Sequence, residues 1–261
     1  MVNVLSRASH SDLRLEPFPH VVMENALDPE TYAALAASFP PLEVIAGTGS
    51  VQALASNRRY SMPAWALLLR DDVSPIWKAF LEQHTSPAFF RTVLATFDGH
   101  WDQSIVDRLK SAAEKQACGL LYRDDHRGRP VLLDARVEIN SPVIATPSSA
   151  RGAHLDAPNR LYSGLLYLRA EEDDSAGGEL ELFRWKSHPT ETLDVFELPA
   201  DSVERVAAIP YRANQLVIFP QSIAALHGVA IRYPTAHVRR YVFITAEIDD
   251  DWLTMDSRLS A

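Results

Sequence analysis

The sequence predicts an α+β protein, with a helical first part and a β-sandwich or jelly-roll barrel in the second. Two observations predict this class. Between Ser74 and Lys115 the apolar residues recur mainly at helical spacing, whereas after about residue 119 short apolar or alternating runs are separated by turn residues. With 261 residues, 47% of them hydrophobic and 23% charged, the chain is long enough for a sizeable core and typical of a globular protein.

The first elements predicted along the chain are a short strand over residues 21–23 and a helix after it. Asp28 is suited to cap this helix, Pro29 fits its first position, and a proline pair ends it. Residues 42–62 have the composition of a loop. Three further helices are predicted by the segments SPIWKAFLEQH, SPAFFRTVLATF and WDQSIVDRLKSAAEKQ.

Five strands are predicted in the second part of the chain, because the runs are rich in Val, Ile, Leu, Phe and Tyr. The segments are RPVLLDARVEIN, SGLLYLRA, GGELELFRW, NQLVIFP and RRYVFITAEI. We expect a single domain, in which residues 1–118 form a mostly helical part packed on the barrel. Residues 119–250 would form the barrel, and residues 251–261 a C-terminal tail.

Charge and cysteine content exclude several classes of function. A formal net charge of -9 and a pI near 5.5 argue against a nucleic-acid backbone or an anionic membrane as the main partner. The single cysteine, Cys118, rules out an intrachain disulfide and an all-cysteine metal cage. Because no run approaches the ~20 apolar residues of a membrane span, we expect a cytoplasmic protein without nucleic-acid or membrane partners.

A His-x-Asp pattern places two metal-capable side chains two positions apart. It occurs at His10 and Asp12, at His100 and Asp102, and at His154 and Asp156. Residues two apart share a face of extended chain but diverge on a helix, and the middle pair opens a helical stretch. The first pair lies in a polar N-terminal tail, so only the third pair, which leads directly into an apolar strand, is a good candidate.

A third ligand is available from His227, which follows the apolar strand NQLVIFP. Two histidines and one carboxylate form a facial triad, which leaves three positions of an octahedral Fe(II) open. A closed structural zinc site would need four protein ligands and more sulfur than this chain contains. Iron is therefore the metal that the pattern favours.

The segments HLDAPNRLYSGLLYL, GGELELF, NQLVIFP, LHGV and RRYVFI occur in an order that resembles the Fe(II)/2-oxoglutarate-dependent oxygenase superfamily, specifically its prolyl-4-hydroxylase-like branch. The likeness covers about residues 136–245. It implies a double-stranded β-helix, a jelly-roll or cupin-like core, with supporting helices, and a dioxygenase using Fe(II), 2-oxoglutarate and O₂. It also implies that His154, Asp156 and His227 bind the iron.

The resemblance extends to the co-substrate. Family members hold the distal carboxylate of 2-oxoglutarate with an arginine, or sometimes a lysine, on the strand after the second histidine, and here Arg239 and Arg240 are adjacent. Strand alternation lets only one of them point inward. We prefer Arg240, because an Arg-Tyr pair leading into an apolar strand is the local pattern in relatives. Tyr167 is expected to hold the same carboxylate, and Asn140 to contact the co-substrate.

The reaction implied by the resemblance is hydroxylation of an unactivated C–H bond, with succinate and CO₂ as co-products. Asp156 occupies the position where halogenating members have a small residue, which favours hydroxylation. We expect a small polar substrate, such as an amino acid, sugar or secondary metabolite. The alternatives are a peptidyl (prolyl-type) hydroxylase and a cupin-like binding protein without turnover. The substrate-contacting candidates at the mouth are Arg151, Asn159, Arg160 and Tyr162.

Overall fold

The computed structural model describes residues 3–115, 117–187 and 197–253. The helices are α1 Pro29–Ala37, α2 Leu42–Ala46, α3 Ala64–Leu68, α4 Pro75–His84, α5 Pro87–Thr96 and α6 Val106–Glu114. The strands are β1 Leu13–Arg14, β2 His20–Met23, β3 Arg59–Met62, β4 Cys118–Leu120, β5 Val131–Asn140, β6 Arg160–Tyr167, β7 Leu180–Trp185, β8 Val203–Ile209, β9 Gln215–Pro220, β10 His227–Val229 and β11 Arg239–Glu247.

The strands form two sheets. The large sheet has the order β1-β2-β9-β6-β11-β5-β3, with β4 pairing parallel to β5, and the small sheet has the order β10-β7-β8. One apolar cluster contains Tyr167 and Phe219 from the large sheet together with Leu180 and Leu182 from the small one, so the two sheets face each other. This is the predicted jelly-roll core of an α+β protein.

The helices cover the other face of the large sheet. Trp77, Phe80 and Phe89 share a buried cluster with Leu133 and Val242, which come from β5 and β11. Burying such side chains stabilises the fold by about 1.5–3 kcal/mol for each aliphatic or aromatic residue. The helical layer therefore holds the sheet rigidly from behind, leaving its inner face free for a site.

Local sequence explains where the predicted helices begin. The Asp28 side chain accepts a hydrogen bond from the Thr31 backbone N–H at 2.9 Å, and Pro29 is the first residue of α1. The next two predicted helices start as expected at serine-proline pairs, with Pro75 and Pro87 in their first turns. The helix predictions for this part of the chain are confirmed.

The loop prediction for residues 42–62 is wrong in part, because α2 and β3 lie within it. The four residues of β3 alternate between exposed and half-buried on an edge strand, so they carry little apolar signal. Strands β1 and β2 likewise extend the large sheet from the first part of the chain. Strands β8 and β10 were not predicted, and residues 254–261 of the predicted tail lie outside the described residues.

None of the helices that the structure describes is long and apolar enough to cross a membrane.

Candidate metal centre

His154, Asp156 and His227 converge at one end of the space between the sheets. His154 lies in the segment between β5 and β6, and its backbone pairs with His227, the first residue of β10, through bonds of 2.9 and 3.1 Å. A Cβ atom on Gly228 would lie 2.7 Å from the Gly152 carbonyl oxygen, so this close pairing requires glycine. One ligand atom from each of the three side chains lies within 4.8 Å of the others.

Both histidines point the same ring nitrogen toward the carboxylate. Nδ1 of His154 donates to the Gly152 carbonyl at 2.7 Å, and Nδ1 of His227 donates to the Ala225 carbonyl at 3.0 Å. The Nε2 atoms of His154 and His227 then lie 3.8 and 3.6 Å from the Asp156 carboxylate oxygens. Burial lowers the pKa of His154 to about 3 and also lowers that of His227, so both rings are neutral near pH 7.

The Asp156 carboxylate is fixed from behind. Ser163 Oγ donates to Oδ2 at 2.5 Å, and Arg160 Nη1 lies 3.0 Å from Oδ1. Burial by itself would raise the pKa of Asp156, but Arg160, the two histidines and the Ser163 hydroxyl hold it well below its usual range. Asp156 is therefore an ionised carboxylate of fixed orientation.

A cavity of about 370 Å³ opens from these three residues. Its apolar walls come from Leu165, Leu180, Val229 and Phe243, and its charged groups are Arg58, Arg59, Glu138, Arg151 and Arg239 besides Asp156. A mainly apolar cleft of this size with a few convergent polar groups is typical of a small-molecule site.

The inner face of the large sheet arranges the polar lining in rows. Asn140 of β5 lies opposite Arg239 of β11 on one side and opposite Arg59 of β3 on the other. Facing residues on neighbouring strands point to the same side of a sheet, about 4.8 Å apart from strand to strand. The first row of the cavity is therefore Arg59, Asn140 and Arg239.

Arg240, the preferred candidate for the 2-oxoglutarate carboxylate, does not line the cavity, because the strand register turns its side chain to the other face of the sheet. Arg240 lies on the helical side, where its guanidinium carbon is 5.3 Å from the centre of the Phe39 ring. Arg239 points inward, is buried, and donates to the Gly178 carbonyl. The inward parity of β11 is set by its pairing with Asn140, which the sequence alone did not reveal.

Tyr167 and Asn140 are the other two residues that the sequence predicts to contact the co-substrate. Both line the cavity, both are buried, and neither the Tyr167 hydroxyl nor the Asn140 amide nitrogen has a hydrogen-bond partner among the described residues. The Arg239 guanidinium carbon is 4.9 Å from the centre of the Tyr167 ring. Three side chains with hydrogen-bond donors therefore line the same part of the cavity.

Of the four substrate candidates, only Arg151 lines the cavity, with Nη1 3.9 Å from Asp156 Oδ1. Arg160 lies behind Asp156 and bridges it to Glu247. Asn159 donates to the Ile248 carbonyl at 3.3 Å and does not reach the cavity. Tyr162 is fully buried in the helical-side core, because alternation along β6 points it away from the cavity.

Five polar residues of the cavity are not predicted from the sequence: Asn57, Arg58, Arg59, Glu138 and Tyr241. The cluster SNRRYS has the composition of a loop, although Asn57 lies in a buried turn that leads into β3. Its side chain bonds the Ser148 carbonyl at 2.9 Å and accepts from Arg232 at 2.8 Å. Glu138 shares the parity of Asn140, which is a signal that could have found it.

The other two His-x-Asp pairs lie elsewhere. His10 and Asp12 form part of a short 3₁₀ turn, and His100 and Asp102 lie in the turn before α6. Within the part of the chain that the structure describes, the group of three metal-capable side chains is His154, Asp156 and His227.

Comparison with known protein families matches residues 144–245 to the 2OG-Fe(II) oxygenase superfamily. This segment includes all three metal-capable residues, Tyr167 and Arg239. No match was found among curated proteins. The resemblance to this superfamily that the sequence predicts is thereby confirmed over these residues.

One solved structure shares the fold at low sequence identity, and two others are similar at lower TM-scores. A prolyl 4-hydroxylase from Phytophthora capsici has a TM-score of 0.52 and 16% identity, over 91% of this chain and 61% of its own. This chain therefore spans about three fifths of the length of that protein. A Pseudomonas putida prolyl-4-hydroxylase has a TM-score of 0.46 and 14% identity, over 90% of this chain and 96% of its own. The epimerase SnoN from nogalamycin biosynthesis has a TM-score of 0.46 and 15% identity, over 88% of this chain and 78% of its own.

Proposed function

We propose that this protein is an Fe(II)- and 2-oxoglutarate-dependent oxygenase that hydroxylates an unactivated C–H bond of a small polar molecule. One observation carries the proposal: two neutral imidazoles turn unprotonated Nε2 atoms toward an ionised carboxylate at the end of a cavity. The lone pairs of the two Nε2 atoms and the negative charge of the carboxylate face one another in a buried site. A cation bound between them would compensate both.

The donor set fits Fe(II). Two imidazole nitrogens and one carboxylate oxygen bind one face of an octahedral ion and leave positions for other ligands. Hydrogen bonds from Nδ1 to backbone carbonyls fix both imidazole rings, as is usual for metal-bound histidine. Iron in such a site supplies the oxidising power with O₂ that no side chain of this protein provides.

The inner end of the cavity fits the distal carboxylate of 2-oxoglutarate. Arg239 offers charged donors, and the Tyr167 hydroxyl and Asn140 amide, which have no partner among the described residues, offer two more. Burial raises the pKa of Tyr167, so its hydroxyl keeps its proton and can donate. A carboxylate bound here would receive charge-assisted hydrogen bonds in a nearly dry site.

The proposed reaction consumes 2-oxoglutarate, O₂ and R–H and gives succinate, CO₂ and R–OH. In it Arg239, Tyr167 and Asn140 would orient the co-substrate, while Leu165 and Phe243 would exclude water from the reacting atoms. The size of the cavity favours a small substrate over a peptide. The alternative of a cupin-like binding protein without turnover is disfavoured, because the protein has a complete set of side chains to hold the metal and 2-oxoglutarate.

The test measures succinate formed from 2-oxoglutarate under O₂ with added Fe(II). We expect slow turnover by the wild type without a substrate, and its loss in His154→Ala. His100→Ala, which changes the histidine of another His-x-Asp pair, should retain wild-type turnover. Equal succinate formation by the wild type and His154→Ala would overturn the proposal. Addition of prolyl peptides and of small-molecule pools, with mass spectrometry of products, then separates the two substrate classes.

A further inference from the structure

The outer part of the cavity carries an excess of positive charge. Beyond the metal and co-substrate groups, Arg58, Arg59 and Arg151 line the wall against the single carboxylate of Glu138. The protein as a whole has a formal charge of -9, so this region has the opposite sign to its surroundings. Low-dielectric walls strengthen the attraction of such a region for an anion.

Among these arginines, the position of Arg59 says most about where an anion would bind. It lies on the edge strand β3 directly opposite Asn140, so it belongs to the same inward row as Asn140 and Arg239. Its exposure places it at the mouth, while Arg239 is buried at the other end of the row. Among the described residues, no carboxylate oxygen lies within 4.0 Å of the Arg59 guanidinium nitrogens, and no hydrogen bond to them is formed.

Glu138 supports Arg59 but does not pair with it. The Glu138 carboxylate is buried and accepts from Ser61 Oγ at 2.8 Å. Its negative charge raises the pKa of Arg59 more than any other influence does. Glu138 therefore keeps the Arg59 guanidinium charged near the cavity, and the guanidinium N–H groups remain available to bind a ligand.

Arg151 approaches the same space from the opposite side. Its Nη1 atom is 3.9 Å from Asp156 Oδ1, which places it beside the metal centre. Arg59 and Arg151 therefore bring two positive charges to one cavity. Guanidinium groups that repel one another across a cavity are stabilised when an anion binds between them.

We propose that the substrate carries a carboxylate or phosphate group, which Arg59 and Arg151 bind at the mouth of the cavity. The inference rests on the proposed function and names the substrate class. With iron held by Asp156 and 2-oxoglutarate by Arg239, these two arginines supply positive charge to the space that remains for a substrate. An anion bound between them anchors the substrate close to Asp156, so that a carbon near the anionic group faces the metal.

The test uses protein loaded with Mn(II) and 2-oxoglutarate, and three small probes: inorganic phosphate, acetate and neutral acetamide. Mn(II) in the triad enhances the nuclear relaxation of a bound probe, detected by ³¹P for phosphate and ¹³C for the other two. We expect saturable enhancement for at least one anion and not for acetamide. The tighter of phosphate and acetate identifies the anionic group.

Arg59→Gln should weaken anion binding by about tenfold or more, because a charge-assisted hydrogen bond is lost. Arg184→Gln, on the small sheet and paired with exposed Glu204, is the matched control and should bind the probes as the wild type does. Unchanged binding in Arg59→Gln, or no saturable anion binding in the wild type, overturns the inference. Failure of the wild type to bind Mn(II) or 2-oxoglutarate instead overturns the proposed function, and the inference with it.

Discussion

On its outer face β5 packs Leu133, Val137 and Ile139 against the helices, whereas on its inner face the same strand carries Glu138 and Asn140. Along β5 the outward-facing side chains are all apolar. The inner face buries polar groups that lack partners within the described residues. Because buried polar groups are costly unless they are paired, the unpartnered Asn140 amide nitrogen on this face favours a bound ligand.

Buried histidines on the two sides differ in the same way. His84, in the helical layer, donates from Nδ1 to the Phe80 carbonyl at 2.7 Å and accepts from the Val4 backbone N–H at Nε2 at 3.0 Å. His227 uses only Nδ1 and turns Nε2 toward a carboxylate. Both are neutral because burial lowers their pKa values. A histidine with both nitrogens satisfied is structural, and one with a free lone pair in a cluster is available to a metal.

The largest expected effect separates these two histidines. His227→Gln should weaken Fe(II) or Mn(II) binding by about 100-fold or more, since even outer-shell partners of metal ligands are worth roughly 10- to 100-fold. His84→Gln should leave metal affinity unchanged and lower stability instead. Metal titration followed by electron paramagnetic resonance of Mn(II) measures both. Comparable losses of metal affinity in the two variants would contradict the distinction.

The second prediction compares Arg239 and Arg240, which are neighbours on β11 and point to opposite faces of the sheet. Arg239→Ala should weaken 2-oxoglutarate binding by about 1.5–3 kcal/mol, or about 10- to 150-fold, through loss of a charge-assisted pair. Arg240→Ala should change it little, because this side chain packs over Phe39 on the helical side. Calorimetric titration with 2-oxoglutarate in the presence of Mn(II) makes the comparison. A larger loss in Arg240→Ala would reverse the assignment of the two faces.

These residues also explain how far the sequence could predict the site. His154, Asp156 and His227 could be predicted because their order and flanking segments form a pattern, and Tyr167 and Asn140 because the family resemblance points to their positions. The choice between Arg239 and Arg240 depends on a register shift of one residue, which is set by pairing with Asn140 on another strand. Local sequence does not contain that information.

Strand β3 is a second case, and a stronger one, in which local sequence does not reveal the strand pairing. Its residues form a strand only because β5 offers an edge, with Arg59 opposite Asn140 and Ser61 opposite Glu138. With no apolar alternation, SNRRYS has the composition of a turn. The helices were predictable, by contrast, because their capping residues and proline positions lie within the helices themselves.

A third prediction concerns the pH dependence of stability on the helical side. Burial lowers the pKa of His84 to about 4 from an ordinary value of 6.5, so the unfolded chain binds a proton more readily than the folded one. The stabilisation is complete above pH 6.5 and is lost as the pH falls toward 4, with about 2 kcal/mol lost by pH 5.

Chemical denaturation at pH 7 and pH 5 measures this loss. His84→Gln should show a decline in the free energy of unfolding smaller by about 2 kcal/mol than that of the wild type. The matched change His100→Gln, at a half-buried turn position, should leave the wild-type decline unchanged. An identical decline in wild type and His84→Gln would show that this histidine does not titrate on unfolding.

The smallest effect tests whether the helical side can be weakened without touching the site. Two helices start at a serine-proline pair, yet Ser86 accepts a capping bond from the Phe89 N–H at 3.1 Å, whereas Ser74 makes no capping bond in the described structure. Ser86→Ala should therefore lower the free energy of unfolding by about 1 kcal/mol, and Ser74→Ala by much less. Neither should alter 2-oxoglutarate affinity. A lower 2-oxoglutarate affinity in Ser86→Ala would mean that the helical layer sets the geometry of the inner face. The two faces of the sheet would then not act independently.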